Sequence, residues 1–183
     1  MTELDGGSPT ALNAPILYVG FSSVLHRGEG LMEASGRVTL DSGRQPFESA
    51  HHLSDALAPY PDLQLVLTTS WTRWFGDADT AALLPRELRQ KVVGTTREYP
   101  PRFGELQNGS GRTWSIIRHA GAHRLNKWLA IGDDFRGVPL DLMSRFFVVP
   151  KDTGLETPGM REVLSVWLAK NMSVHPTSSG REQ

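Results

Sequence analysis

The sequence predicts a single α/β domain: a parallel, five-stranded sheet with helices on both faces and a small flap inserted after the first strand. Short, unbroken apolar runs such as Ile16-Leu17-Tyr18-Val19 recur along the chain, the pattern of strands buried on both faces. Stretches with helical spacing separate these runs, and strands alternating with helices build parallel sheets covered on both sides. A chain of 183 residues with 39% hydrophobic content is long and apolar enough for one such core.

Residues 1–14 include Gly6, Gly7, Ser8 and Pro9 without periodicity and read as a flexible leader, followed by the domain over 15–172. Ile16 to Val19 is the first strand. Residues 26–46 hold several glycines and a weak alternation of Val38 and Leu40 around Thr39, which predicts a hairpin or flap. Glu48 to Leu57 reads as a helix stopped by Pro59 and Pro61. Leu63 to Leu67 is the second strand. Asp77 to Leu84 and Pro85 to Gln90 read as two short helices, the second with proline in its first turn. Val92-Val93 is a short third strand. Residues 97–111, with Pro100, Pro101, Gly104, Gly109 and Gly111, form a long loop, and a helix runs from Arg112 to Leu125. Trp128 to Ile131 and Phe146 to Val149 are the fourth and fifth strands. Thr157 caps a last helix through Trp167 whose apolar face is Val163, Val166 and Trp167. Residues 173–183 read as a disordered tail.

Composition narrows the function classes. With no cysteine there is no disulfide framework, thiolate nucleophile or Cys-based zinc site, and a reducing cytoplasm is the simplest expected location. No apolar run approaches the roughly 20 residues of a membrane helix, so no membrane partner is expected. The net charge of −1 offers no broad basic face for nucleic acid. Five tryptophans are read as core and rim packing, with Trp71 or Trp74 as alternative anchors for a protein partner.

Parallel sheets bind ligands beyond the carboxyl ends of their strands, so the residues just after each strand carry the functional reading. After the first strand comes Gly20-Phe21-Ser22-Ser23-Val24-Leu25-His26, after the second Thr68-Thr69-Ser70-Trp71, and after the fourth Gly132-Asp133-Asp134. Adjacent carboxylates at a strand end suit a hard cation such as Mg²⁺. They suit a turn or helix cap equally. Hydroxyls at the neighbouring strand end can hold a phosphate oxygen, or merely end a strand and cap a helix. Arg112 combines a guanidinium with a helix N-terminus, both suited to an anion, although such a residue is often simply solvated. Arg118 and Lys127 are alternative cations. His26 and His119 are read as structural or surface groups. His51 and His52 are not read as a metal site, since adjacent helical residues do not share a face.

These segments, in this order, resemble the haloacid-dehalogenase-like (HAD) superfamily, and most closely the HAD domain of Swiss Army Knife RNA repair proteins. The helix from Arg112 and the short segment Val92-Val93-Gly94-Thr95-Thr96 complete the match. The resemblance implies a Rossmann-like sheet with residues 26–46 as flap or cap. It implies phosphoryl transfer through an aspartyl-phosphate on a loop reading Asp-x-Asp-Gly, with Mg²⁺ held partly by acids after the fourth strand. Carried onto this chain, it puts Gly20 at the nucleophile position, Ser22 at the general acid/base position and Ser23 at the glycine position. Thr69, Ser70 and Arg112 fall at phosphate-binding positions, and Asp133 and Asp134 at metal positions.

Glycine has no side chain to form an acyl-phosphate, and serine is a poor general acid or base near neutral pH. The metal also loses a carboxylate, so the Mg²⁺ site is expected to be weakened or absent. The leading expectation is a HAD-like phosphatase fold that has lost aspartyl-phosphate catalysis and acts as a phosphate-binding, metal-binding or regulatory module. The alternatives are an active Mg²⁺-dependent phosphohydrolase on a phosphorylated small molecule or nucleic-acid end, and a protein-interaction module. The expected ligand is a phosphorylated compound.

Overall fold

The structure is a computed structural model and describes residues 14–172. Apart from Ala14, the expected leader lies outside the described residues, as does the expected tail. The strands are β1 (Ile16–Val19), β2 (Gly30–Met32), β3 (Val38–Leu40), β4 (Gln64–Leu67), β5 (Val92–Thr95), β6 (Trp128–Gly132) and β7 (Phe146–Val148). Five of them form one parallel sheet in the order β5-β4-β1-β6-β7, and β2 and β3 form a separate antiparallel hairpin. That hairpin is the flap expected over 26–46. The helices are α1 (Ala50–Leu57), α2 (Thr72–Ala82), α3 (Arg86–Arg89), α4 (Phe103–Gln107), α5 (Gly111–Ala122) and α6 (Met160–Met172).

Side chains alternate faces along a strand, and the core divides accordingly. Leu17, Val19, Leu65 and Leu67 face one way, against Leu53 and Leu57 of α1 and Leu164 and Leu168 of α6. Ile16, Tyr18, Val66 and Ala130 face the other way, against Ile116 and Ala120 of α5. Each fully buried leucine contributes about 1.5–3 kcal/mol relative to exposure. Two layers of helix therefore hold β1 at the centre, and the chain runs from it outward through β4 to β5, then crosses back past β1 to β6 and β7 on the other side. This reversal opens a crevice above the carboxyl end of β1.

Three sequence expectations are corrected. The helix expected from Asp77 begins at Thr72, because Gly76, with φ 78°, kinks the helical run without ending it. The loop expected over 97–111 contains α4, five residues long and begun by Glu105 accepting the Arg102 backbone N–H at 2.8 Å. The last helix buries Leu164 and Leu168, whereas Val163 and Val166 face solvent. Leu164 and Leu168 are i, i+4 neighbours and seat the helix as one stripe. Trp167 lies at the edge of that stripe, against Phe147, and donates its indole N–H to the Ser144 carbonyl.

Two histidines are interior groups. His119 Nδ1 and the Tyr18 hydroxyl share a hydrogen bond of 2.8 Å across the α5–β1 interface. His26 lies among Phe21, Phe47 and Trp71 and accepts the Phe47 backbone N–H at its Nδ1. Burial pushes both down to about 4, helped at His119 by neighbouring His123. The unfolded chain takes up these protons near pH 6.5, the folded protein only near pH 4. Their contribution to stability is complete above pH 6.5 and is lost as pH falls towards 4, about 3 kcal/mol for each histidine. Urea unfolding at pH 7.5 and 4.5 checks this. His119→Gln is expected to lose less stability between those pH values than the parent, and equal losses would remove the buried histidine from the account.

Candidate functional site

The first loop is anchored where it starts. Gly20 donates its backbone N–H to the Ile131 carbonyl of β6 at 3.2 Å, so the loop leaves β1 pinned to its neighbour. A side chain at Gly20 would begin 3.6 Å from Nη1 of Arg112, at ordinary contact distance. One at Gly132 would begin 3.4 Å from the same atom. The Arg112 guanidinium thus lies between the ends of β1 and β6. It pairs there with Asp133 Oδ1 at 2.7 Å, and the Asp133 side chain is only 4% exposed.

Ser22 donates its hydroxyl to Glu29 Oε2 at 2.9 Å, which ties the loop to the base of the flap. Ser23 adopts φ 65°, the left-handed region that favours glycine. Its hydroxyl lies 2.6 Å from the Lys151 carbonyl and 3.1 Å from Asp133 Oδ2. One proton serves one of these acceptors at a time, and the shorter approach favours Lys151. Gly154 closes the loop from behind: a side chain there would begin 1.7 Å from the Ser23 carbonyl oxygen.

The flap is held down at both ends. Gly30 lies against the Trp71 indole, where a side chain would begin 2.5 Å from Nε1. At the flap's base, Glu156 gathers Arg27, Arg44 and the Ser49 hydroxyl. The Ser49 hydrogen bond, then the two guanidinium charges, hold its carboxyl below the ordinary glutamate value despite partial burial.

Beside Arg112 a cleft of about 190 Å³ runs along the ends of β4 and β5. Thr68, Thr69 and Ser70 line it, with Arg112 and Ser115 from α5. Thr69 Oγ1 accepts the Trp71 backbone N–H at 3.2 Å, and Ser70 is exposed. The Thr68 and Ser115 hydroxyls are buried, line the same cleft and have no hydrogen-bond partner among the described residues. A buried hydroxyl without a partner is costly, and a ligand oxygen would satisfy it.

Gly20, Arg112 and Asp133 therefore converge, and Ser70 and Thr69 join them through the cleft that Arg112 also lines. Asp134 does not join them: it is 47% exposed and pairs outward with Arg136 at 3.2 Å. The alternative cations are elsewhere. Arg118 is bound to Glu105 and the Pro100 carbonyl, and the Lys127 carbonyl pairs with Ile16 at the opposite end of β1. Trp71 is 3% exposed and cannot anchor a partner, whereas Trp74 is 39% exposed. Sequence reasoning missed Ser115, three residues after Arg112 and hence on its helix face, a spacing that could have found it. It also missed Glu29, Arg73 and Arg97, which carry no local motif.

The donor set does not fit Mg²⁺, which takes near-octahedral oxygen ligands. Gly20 offers none, the Ser22 hydroxyl is engaged by Glu29, and the one inward carboxylate, Asp133, is already neutralised by Arg112. Among the described residues no group of three or more His, Asp or Glu side chains could hold a metal ion, and the neighbouring His51 and His52 rings join no such group. No helix among them is long and apolar enough to cross a membrane.

Residues 16–160 match the family described as the HAD domain in Swiss Army Knife RNA repair proteins. Among curated proteins, none matches the chain. A crystal structure of a hypothetical protein from Xanthomonas campestris is similar at 14% identity, covering 90% of this chain and 86% of that one, with a TM-score of 0.39.

The strained serine gives a direct test of the loop. Ser23→Ala keeps the left-handed backbone and leaves the Lys151 carbonyl without its donor, while Ser23→Gly loses the same bond but relieves the strain. Thermal or urea unfolding is expected to place Ser23→Ala below Ser23→Gly by about 1 kcal/mol. The reverse order would contradict the loop geometry.

Proposed function

The chain belongs to the family of HAD domains in Swiss Army Knife RNA repair proteins, and on that premise we propose that it binds a phosphoester at Arg112 without forming an aspartyl-phosphate. The observation that carries this reading is the space beside Gly20. Where the family's nucleophilic carboxylate would stand there is open contact distance to a guanidinium and no carboxylate. A phosphoryl group in the adjoining cleft, which Arg112 also lines, would lie beside the partnerless hydroxyls of Thr68 and Ser115 at its wall and the hydroxyls of Thr69 and Ser70. Each can hold it, and none is activated to attack it.

Charge balance supports the same reading. The family's loop acids repel a phosphate, and Mg²⁺ offsets them. In this chain Gly20 and Ser22 replace both acids, so Arg112 can face the anion with only Asp133 to neutralise. Phosphate affinity then has no need of a metal. The site acts as a binding or regulatory module for a phosphorylated ligand.

One observation favours a second reading. Ser22 Oγ lies 2.9 Å from Glu29 Oε2, a hydroxyl held by a carboxylate. As a hydrolase the pair would supply both nucleophile and base. The two readings part on a simple assay. The parent is expected to release no phosphate from aryl phosphates, and turnover that disappears in Ser22→Ala would establish the hydrolase instead.

Restoration tests the site assignment. Gly20→Asp fits, because its first carbon meets nothing closer than 3.6 Å. The Gly20→Asp, Ser22→Asp protein is expected to gain Mg²⁺-dependent phosphatase activity, roughly a hundredfold or more over the parent, since general acid–base groups contribute about 10²–10⁴. A folded double variant with no gain across a panel of phosphomonoesters would overturn the assignment.

A further inference from the structure

The cleft beside Arg112 is longer than one phosphate needs. Arg112 sits at the end of β1, whereas Thr96 and Arg97 follow β5, two strands further along the sheet. Two inter-strand steps span about 10 Å. At this far end the cleft is lined by Arg73 of α2, Thr96 and Arg97. No acidic side chain lines the cleft.

The two outer arginines are free to take a ligand. The Arg73 side chain has no hydrogen-bond or ion-pair partner among the described residues and is exposed. Arg97 makes one long contact, 3.6 Å to Asp77, with both side chains about half exposed. Such a pair contributes little and yields readily. The inner end is already equipped for one phosphoryl group by Arg112 and the buried, partnerless hydroxyls of Thr68 and Ser115. Arg73 and Arg97 therefore have no role in holding that first group, and their guanidiniums suit a second one.

We propose that the cleft takes a ligand carrying two phosphate groups, one at Arg112 and the second at Arg73 and Arg97. This rests on the reading of Arg112 as a phosphate site and adds the class of ligand. Two sources share this chemistry: a directly linked diphosphate, and a nucleoside whose sugar bridges two phosphates.

Calorimetric titration of the whole chain separates the possibilities, with orthophosphate, pyrophosphate and adenosine 3′,5′-bisphosphate as probes. At least one two-phosphate probe is expected to bind tenfold or more tightly than orthophosphate, and the one preferred identifies the spacing. Arg73→Gln with Arg97→Gln should abolish that gain and leave orthophosphate affinity within about twofold, because exposed charges this far from Arg112 are screened from it. Arg112→Gln should weaken all three probes. Equal affinity for the three probes in the parent would overturn the second site while leaving Arg112 as a phosphate site. So would a gain that survives loss of Arg73 and Arg97, or an equal loss for orthophosphate. Orthophosphate binding that is absent, or indifferent to Arg112→Gln, would overturn both. Thermal melts of the variants confirm folding, and Arg73 and Arg97 are surface groups whose removal disturbs no core contact.

Discussion

The ion pair of Arg112 with Asp133 organises this site. It joins the first turn of α5 to the end of β6, and it places a positive charge against Gly20 at the end of β1. Every other feature of the crevice is arranged around that charge. Gly20 and Gly132 lie against the guanidinium, Gly132 also leaving room for the Phe135 ring, and Ser23 approaches the far oxygen of Asp133. The free hydroxyls of Thr68 and Ser115 line the cleft that the same arginine enters. The planar guanidinium has more N–H groups than Asp133 Oδ1 engages, so the ion pair leaves donors of Arg112 directed at the crevice.

The framework that holds the pair is ordinary sheet physics. Four consecutive buried residues make β1 a strand covered on both faces by two helical layers, and the loop after it leaves the sheet at its carboxyl end. The first loop then has to turn sharply, which accounts for the left-handed Ser23 and for the close approach of Gly154 behind it. In the family's usual motif a glycine takes the position of Ser23. The serine bears a backbone cost in return for a hydrogen bond to Lys151.

Much of this was legible in the residues. The run Ile16 to Val19 and the alternation of strands with helices predicted the parallel sheet, and the residues after each strand marked the edge where its loops converge. The convergence of Gly20, Arg112 and Asp133 followed from motif order. What was illegible depended on packing between distant segments. Asp133 and Asp134 are adjacent and chemically identical, and only the turn after β6 decides that one faces Arg112 and the other Arg136. On α6, Val163 and Val166 look as apolar as Leu164 and Leu168, and only the neighbouring helix selects the buried pair. Trp71 and Trp74 read alike in sequence, as packing groups or alternative anchors, and only the flap residue Gly30 against the Trp71 indole buries that one. Arg73 and Arg97 have no local pattern, because only the pairing of β4 with β5 brings them to one cleft.

The central claim is that this crevice holds a phosphoester and leaves it intact. Phosphorus-31 NMR of a phosphomonoester with an equimolar amount of the protein, with and without Mg²⁺, tests it most directly. The account predicts a ligand resonance that shifts or broadens on adding protein, keeps its full intensity over hours and gives no orthophosphate signal in either condition. An orthophosphate resonance that grows with time, or a ligand resonance the protein leaves unchanged, would contradict it.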